Sequence, residues 1–293
     1  MSFNEKYNKI KQLIQKELNQ IEEKMVADIH IREPLQSSIV NFLKAPSKHI
    51  RPLLAILYLK ACNEEISEKQ LEVLTLVELV HNASLIHDDI IDESKIRRGR
   101  KTLSAEFNNK LGVISGDYIL SIVLEKLTEI NNKEINKNFS KTIKQMTLGE
   151  INQSFDRFKI GTIENYIEKT KDKTAYLFET ALLCPILLSQ NSHNLEKISN
   201  LGISIGTAFQ IRDDILNFTQ TDPLKPTNND ISEGIYNAPV ILGNETDNYK
   251  SGIEKTKILL NNYIQSAKNE IKDLPKNQYK SALDEFLELL KNV

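Results

Sequence analysis

Apolar positions recur along this chain at helical spacing for almost its whole length, and nowhere do they alternate in the two-residue rhythm of a half-buried strand. The pattern predicts helices over 3–29, 34–44, 52–62, 68–92, 115–130, 134–158, 163–190, 195–219, 234–243, 248–272 and 276–291. Ser2 with Glu5, and Ser67 with Gln70, have the spacing of capping boxes at two of the starts. The breaks at "KAPSKHIRP", "ESKIRRGRK" and "TQTDPLKPTNNDISEG" collect proline and polar turn residues. None is long or biased enough to link domains, so the expectation is an all-α helical bundle forming a single domain over 1–293.

Two of these helices carry polar residues where the pattern asks for apolar ones. Helix 68–92 is apolar nearly all round, as a helix in the middle of a bundle should be, yet His81, Ser84, Asp88 and Asp92 recur at spacings of three and four and share a face. Two carboxylates one turn apart in a dry core would rather take up protons than stay charged, unless arginines or a divalent cation neutralise them. Helix 195–219 repeats the arrangement with Gln210, Asp213 or Asp214, and Asn217, while Gly202 and Gly206 let a neighbouring helix come close. Oxygen-only donors on two facing helices suit Mg²⁺, which completes its shell with water and substrate phosphates.

Composition narrows the partner. The chain has 293 residues, 10 Gly, 8 Pro and a net charge of -2, with no basic tail or patch of the kind nucleic acid requires. Cys62 and Cys184 have no metal-ligand spacing, which fits a reducing, cytoplasmic setting. No signal segment opens the sequence, and its apolar runs fall short of the roughly 20 residues of a membrane span. Cations cluster near the acidic helices: Lys48, His49 and Arg51 before one helix, Arg97 and Arg98 after the first acidic one, then Lys173 and Lys225. Acid for metal, base for phosphate and apolar walls around both describe a site for diphosphate esters with hydrocarbon tails.

Seven ordered blocks carry a resemblance. "SKHIRP", "HNASLIHDDIIDESKIRRGR", "GDYIL", "GEINQ", "DKTAYLF", "FQIRDDILNFT" and "EGIYNAPVI" run from about residue 45 to 241 in the order of the trans-polyprenyl diphosphate synthases, and "LPKNQYKSAL" continues the likeness. The chain resembles that family of head-to-tail isoprenoid-elongating enzymes. The resemblance implies an isoprenoid-synthase-type bundle around a central active-site cavity, with isopentenyl diphosphate and an allylic diphosphate as substrates. Lys48, Arg51, His81 and Arg98 would hold isopentenyl diphosphate; Arg97, Lys173, Lys225, Thr174 and Gln210 would surround the allylic partner, with Lys173, Thr174 and Gln210 as the catalytic residues and the Thr174 and Gln210 oxygens near the allylic cation. Asp88 and Asp92, with Asp89 beside them, would bind two Mg²⁺ ions, and Asp213, with Asp214 nearby, a third. Departures stand at Ser47 and Leu224, where the family has glycine, and at Asn217, where it has aspartate.

The resemblance also bears on product length. Ala83 and Ser84 are small where short-product members carry aromatic rings, so a growing tail is expected to pass toward Val80, Leu79 and Leu76. A C30–C40 product is favoured, with C20 as runner-up. A homodimer through central helices is expected, with transient membrane delivery of the product. Two other readings stay open: a catalytic subunit needing a small non-catalytic partner, and a class I terpene cyclase. The bland expectations are that His49, His87, His30 and His193 are structural or superficial, that Met146 and the Phe and Tyr residues belong to the core, and that Arg97 and Arg98 pair with Glu93 and Asp92.

Overall fold

The computed structural model describes residues 3–219, 231, 233–243 and 249–293. Among them the helices run α1 Phe3–Gln12, α2 Gln15–Ala27, α3 Leu35–Leu43, α4 Ile50–Ala61, α5 Glu68–Ile91, α6 Leu103–Glu106, α7 Asn109–Ile130, α8 Lys133–Phe155, α9 Ile163–Thr170, α10 Tyr176–Ile186, α11 Leu195–Thr219, α12 Ala238–Gly243, α13 Lys250–Ile271 and α14 Gln278–Leu289. The expected all-α bundle is the fold. Its buried side chains, from Tyr7 to Leu290, form one contiguous cluster.

α5 and α11 are the two helices on which the rest is laid. α5 starts at the expected capping box, in which the Ser67 hydroxyl accepts from the Gln70 amide while the Gln70 side chain accepts from the Ser67 amide. It then packs against α2, α4, α7 and α10, which explains why its sequence is apolar all round. α11 lies against α10 and α13. A Cβ on Gly202 would come 2.5 Å from Glu179 Cα, and one on Gly206 2.6 Å from Ala175 Cα. Only glycine therefore lets α11 back directly onto the chain that leads into α10.

Several boundaries differ from the expected ones for local reasons. The predicted helix 3–29 is divided at Leu13 and Ile14, where tighter turns replace regular bonds and Ile14 is wholly buried. α7 begins six residues early, because the Asn108 side chain caps it by accepting from the Leu111 amide at 2.9 Å. The expected helix 163–190 contains a π turn over Lys171–Ala175 between α9 and α10. The "ESKIRRGRK" break holds a short ribbon, β1 Ile96–Arg97 paired antiparallel with β2 Arg100–Lys101. Its two turn residues, Arg98 and Gly99, both have positive φ, at 50° and 74°, the geometry that suits a two-residue hairpin. Ser2, half of the other expected capping box, lies outside the described residues.

Candidate active site

The C-terminal ends of α5 and α11, the π turn and α8 enclose two cavities that meet. One, of about 580 Å³, is polar and is lined by Asp92, Arg97, Lys173, Thr174, Gln210, Asp213, Asp214 and Asn217, among others. The second, of about 630 Å³, shares Lys173, Thr174, Gln210 and Asp213 and adds Arg51, His81, Ser84 and Asp88 at one end and Leu85, Ile91, Val113, Met146 and Phe209 along its walls. The structure thus sets an acid-rich and cation-rich chamber end to end with a greasy one.

The π turn brings the shared residues together. One extra residue per turn re-aims the side chains that follow, which is why such turns recur at functional sites. Here Lys173 Nζ lies 2.6 Å from Glu150 Oε2 on α8, and the Thr174 hydroxyl donates to Gln210 Oε1 at 2.9 Å. Gln210 donates from Nε2 to Asp214 Oδ1 at 2.9 Å, and Tyr166 donates to Asp214 Oδ2 at 2.5 Å. Buried Asp214, grouped above with the metal donors, is therefore occupied by protein donors and orients Gln210. Asp89 is likewise buried, and Arg97 Nε donates to it at 2.6 Å. That pairing replaces the ones expected with Glu93 and Asp92.

Charge is unevenly balanced. Burial pushes the Asp88 carboxyl up to about 6, with Glu150 and Asp92 adding to the rise against Lys173 and Arg97. Burial also raises Asp92, with Glu150 adding to the rise against Lys173, Arg97 and Arg157. Lys173 is held above its ordinary range because Glu150, Asp88 and Asp92 outweigh the effect of its burial. On the other side, burial lowers Arg51 to about 10 against the pull of Glu78 and Asp213, and its guanidinium stacks 4.7 Å above the Phe178 ring. Its buried Nε has no hydrogen-bond partner among the described residues. Burial and the nearby Arg51, Arg98, Arg97 and His49 hold the His81 imidazole well below its usual range.

The hairpin separates its arginines. Arg97 faces the polar cavity and Asp89, whereas Arg98 lies over the Phe42 ring at 6.0 Å and reaches Asn82. Arg98 lines an adjoining cleft of about 360 Å³ with Arg97, Arg100 and Lys101. Lys48 lines neither of the two main cavities; its amine sits 5.1 Å above the Phe3 ring, and burial and Arg212 lower it. Lys225 and Leu224 lie outside the described residues.

Other expectations need correcting. Val80, Leu79 and Leu76 are sealed in the core at 2%, 2% and 0% exposure, and the α5 residues of the greasy chamber furthest from Asp92 are His81 and Ser84. Ala83 is likewise fully buried. Met146 and Phe209 pack against the core as expected and also line the chamber. His49, buried between two carboxylates, has the structural place expected of it, whereas His87 lines the chamber. The residues missed were Glu150, Tyr166 and Glu78. Glu78 was findable: it lies three residues before His81 and continues the polar stripe by one turn.

The sequence pattern of the polyprenyl synthetase family matches residues 32–280. The chain belongs to that family. A curated prenyl transferase of Cyanidium caldarium is 33% identical over 311 residues, covering 95% of this chain and 96% of the relative. The heptaprenyl diphosphate synthase component 2 of Geobacillus stearothermophilus is 29% identical, covering 85% and 87%. The solved heptaprenyl diphosphate synthase of Staphylococcus aureus superposes with a TM-score of 0.88 at 26% identity, covering 96% of this chain and 98% of that one. This polyprenyl synthetase is thus a prenyltransferase.

Proposed function

We propose that this polyprenyl synthetase, acting as a single catalytic domain, condenses isopentenyl diphosphate in trans with an allylic diphosphate, farnesyl or geranylgeranyl, and repeats the step to a C30–C40 product. The observation that carries this is the junction of the polar and greasy chambers at Lys173, Thr174, Gln210 and Asp213. A diphosphate on the polar side and a prenyl tail on the apolar side would place the reactive carbon between them.

Mg²⁺ fits the donors. Asp88 and Asp92 are carboxylate oxygen donors one turn apart, and burial raises both carboxyls. Among the described residues no group of three ligating side chains could hold a metal ion. Diphosphate oxygens and water would complete the shell, as is usual for this ion. Asp88 and Asp92 would hold two ions and Asp213 a third, and bound ions would neutralise the leaving diphosphate.

The protein's own groups do the rest. Lys173 and Arg97 approach the departing diphosphate from the polar chamber and stabilise its growing charge. Thr174 and Gln210 present oxygens beside the allylic cation. Lys48, Arg51, His81 and Arg98 hold isopentenyl diphosphate so that its double bond faces that cation. Leu85, Met146 and Phe209 keep water from capturing it. The departing diphosphate takes the proton released when the new double bond forms.

Free thiols at Cys62 and Cys184 fit a cytoplasmic setting. Among the described residues no helix is long and apolar enough to cross a membrane, and product would reach a membrane transiently. A homodimer is the assembly we propose. The relative named as a synthase component favours a second reading, a catalytic subunit with a small partner.

Incubation with farnesyl or geranylgeranyl diphosphate, isopentenyl diphosphate and Mg²⁺, followed by product mass, tests both. A ladder of products five carbons apart from the chain alone supports the homomeric synthase, and a ladder only with an added partner supports the second reading. A cyclic hydrocarbon formed without isopentenyl diphosphate would point to a cyclase and refute both.

A further inference from the structure

The buried carboxylate of Glu78 has no role in the chemistry above. It is 1% exposed and lies on α5 in line with His81. Its Oε2 is 2.7 Å from His49 Nδ1, and His49 Nε2 is 3.1 Å from Glu22 Oε1 on α2. The ring therefore has a carboxylate oxygen against each of its two nitrogens. His49 is also the residue before α4, with φ 51° and no side-chain cap. The left-handed region is unfavourable for a residue with a Cβ, so the turn needs something to hold it. The two carboxylates gripping the ring supply that hold.

The immediate neighbours of this histidine are the reason it matters. Lys48 precedes it, with a carbonyl that accepts from the Tyr7 hydroxyl at 2.5 Å. Arg51 follows two residues later, its guanidinium stacked on Phe178. The Glu78 charge also reaches Arg51 and Arg98 and supports both against burial. Three cationic or imidazole groups, Arg51, Arg98 and His81, converge here. Without a buried anion behind them the two guanidinium charges would repel each other.

We propose that Glu78 and His49 are positioning residues for the isopentenyl end of the reaction: they clamp the turn that carries Lys48 and Arg51, so that both cations meet the diphosphate of the co-substrate. This rests on the assignment of Lys48 and Arg51 to that diphosphate. Neither Glu78 nor His49 lines either chamber, and Glu22 extends the clamp to α2. The allylic side, built from Lys173, Arg97 and Asp88, does not depend on it.

Steady-state kinetics on the full chain, varying one substrate at a time, test the proposal. His49→Gln and Glu78→Gln should each raise KM for isopentenyl diphosphate about tenfold, with allylic KM within about twofold and kcat within about threefold of the parent. Glu22→Gln, on an exposed carboxylate, should raise the same KM about two- to threefold. His49→Arg, a permanently charged donor to both carboxylates, should return it to within about threefold. Arg51→Gln is the control. If it fails to raise that KM selectively, the assignment of the turn is wrong and the proposal falls with it. If Arg51→Gln raises it while folded His49→Gln leaves it unchanged, only the clamp is refuted. Equal damage to both KM values in His49→Gln and Glu22→Gln, without rescue by His49→Arg, would reduce the pair to general scaffolding. Should Glu78→Gln not fold, the Glu22 and His49 variants decide.

Discussion

Lys173 and Glu150 face each other across 2.6 Å where the polar and greasy chambers join. We expect Glu150 to hold the ammonium away from Asp88 and Asp92, the carboxylates proposed to bind metal. Glu150→Gln removes that restraint, and Lys173 then competes with Mg²⁺ for the aspartates. The half-saturating Mg²⁺ concentration should rise about three- to tenfold, in the range expected for a change behind a metal ligand. A magnesium titration of turnover measures it, and an unchanged midpoint would show that Glu150 has no such part.

Asp88 gives a prediction in which stability and activity move in opposite directions. Its carboxyl titrates at about 6 in the folded protein against an ordinary 3.8. Between those values the folded chain keeps a proton that the unfolded chain has lost. Stability therefore falls as pH rises from about 4 to about 6, and the full cost is present at neutral pH. Without metal, Asp88→Asn should raise stability at pH 7.5 by on the order of 2 kcal/mol, about 4 °C or more in Tm, while turnover is abolished. A lower Tm in metal-free buffer would contradict the charge balance described here.

Mg²⁺ should act as the counterweight to that buried charge. Added to the parent protein with inorganic pyrophosphate, it should raise Tm at neutral pH and do so progressively less as pH falls through about 6, where Asp88 takes up its proton. Asp88→Asn should lose most of the increment. Thermal melts across pH 5 to 8 read this out independently of turnover.

Thr174 offers a test near the reacting carbon. Thr174→Val keeps the shape but deletes the donor to Gln210 Oε1. We expect kcat to fall about ten- to a hundredfold with little change in either KM, the pattern of an interaction made mainly in the transition state. A rise in KM alone would assign the hydroxyl to ground-state binding.

Much of this site was readable because helical spacing is periodic. Asp88, Asp92 and His81 were placed on one face by counting, and they line the chambers. Gly202 and Gly206 announced a close approach that the structure makes against Glu179 and Ala175. The π turn was not readable, because it depends on how α9 and α10 are seated against α8 and α11, a tertiary choice that leaves no local mark. The same is true of Asp89 and Asp214. Their neighbours in sequence suggested metal, but Arg97, Gln210 and Tyr166 arrive from elsewhere and claim them.

The path of the tail was not readable for a related reason. Small side chains at Ala83 and Ser84 mark a gap in the α5 surface, but only the packing of α7 and α8 decides which gaps remain open. Ser84→Phe should therefore shorten the product by one or two five-carbon units, read by mass. Leu76→Phe should leave product length alone and cost about 1–3 kcal/mol through overpacking. The reverse pattern would restore the deeper path.

The π turn also fixes a phase. Each residue of a helix advances the side chains by about 100°, and the segment Lys171–Ala175 lies between α9, with Tyr166 on Asp214, and α10, with Glu179 against Gly202. Deleting one residue there would restore a regular screw yet rotate one half of it against the other. Lys173 and Thr174 could keep their aim, or Glu179 its seat, but not both. The chemistry of this enzyme and the joint between α10 and α11 are thereby geared together, and a shift of register in one is a shift in the other.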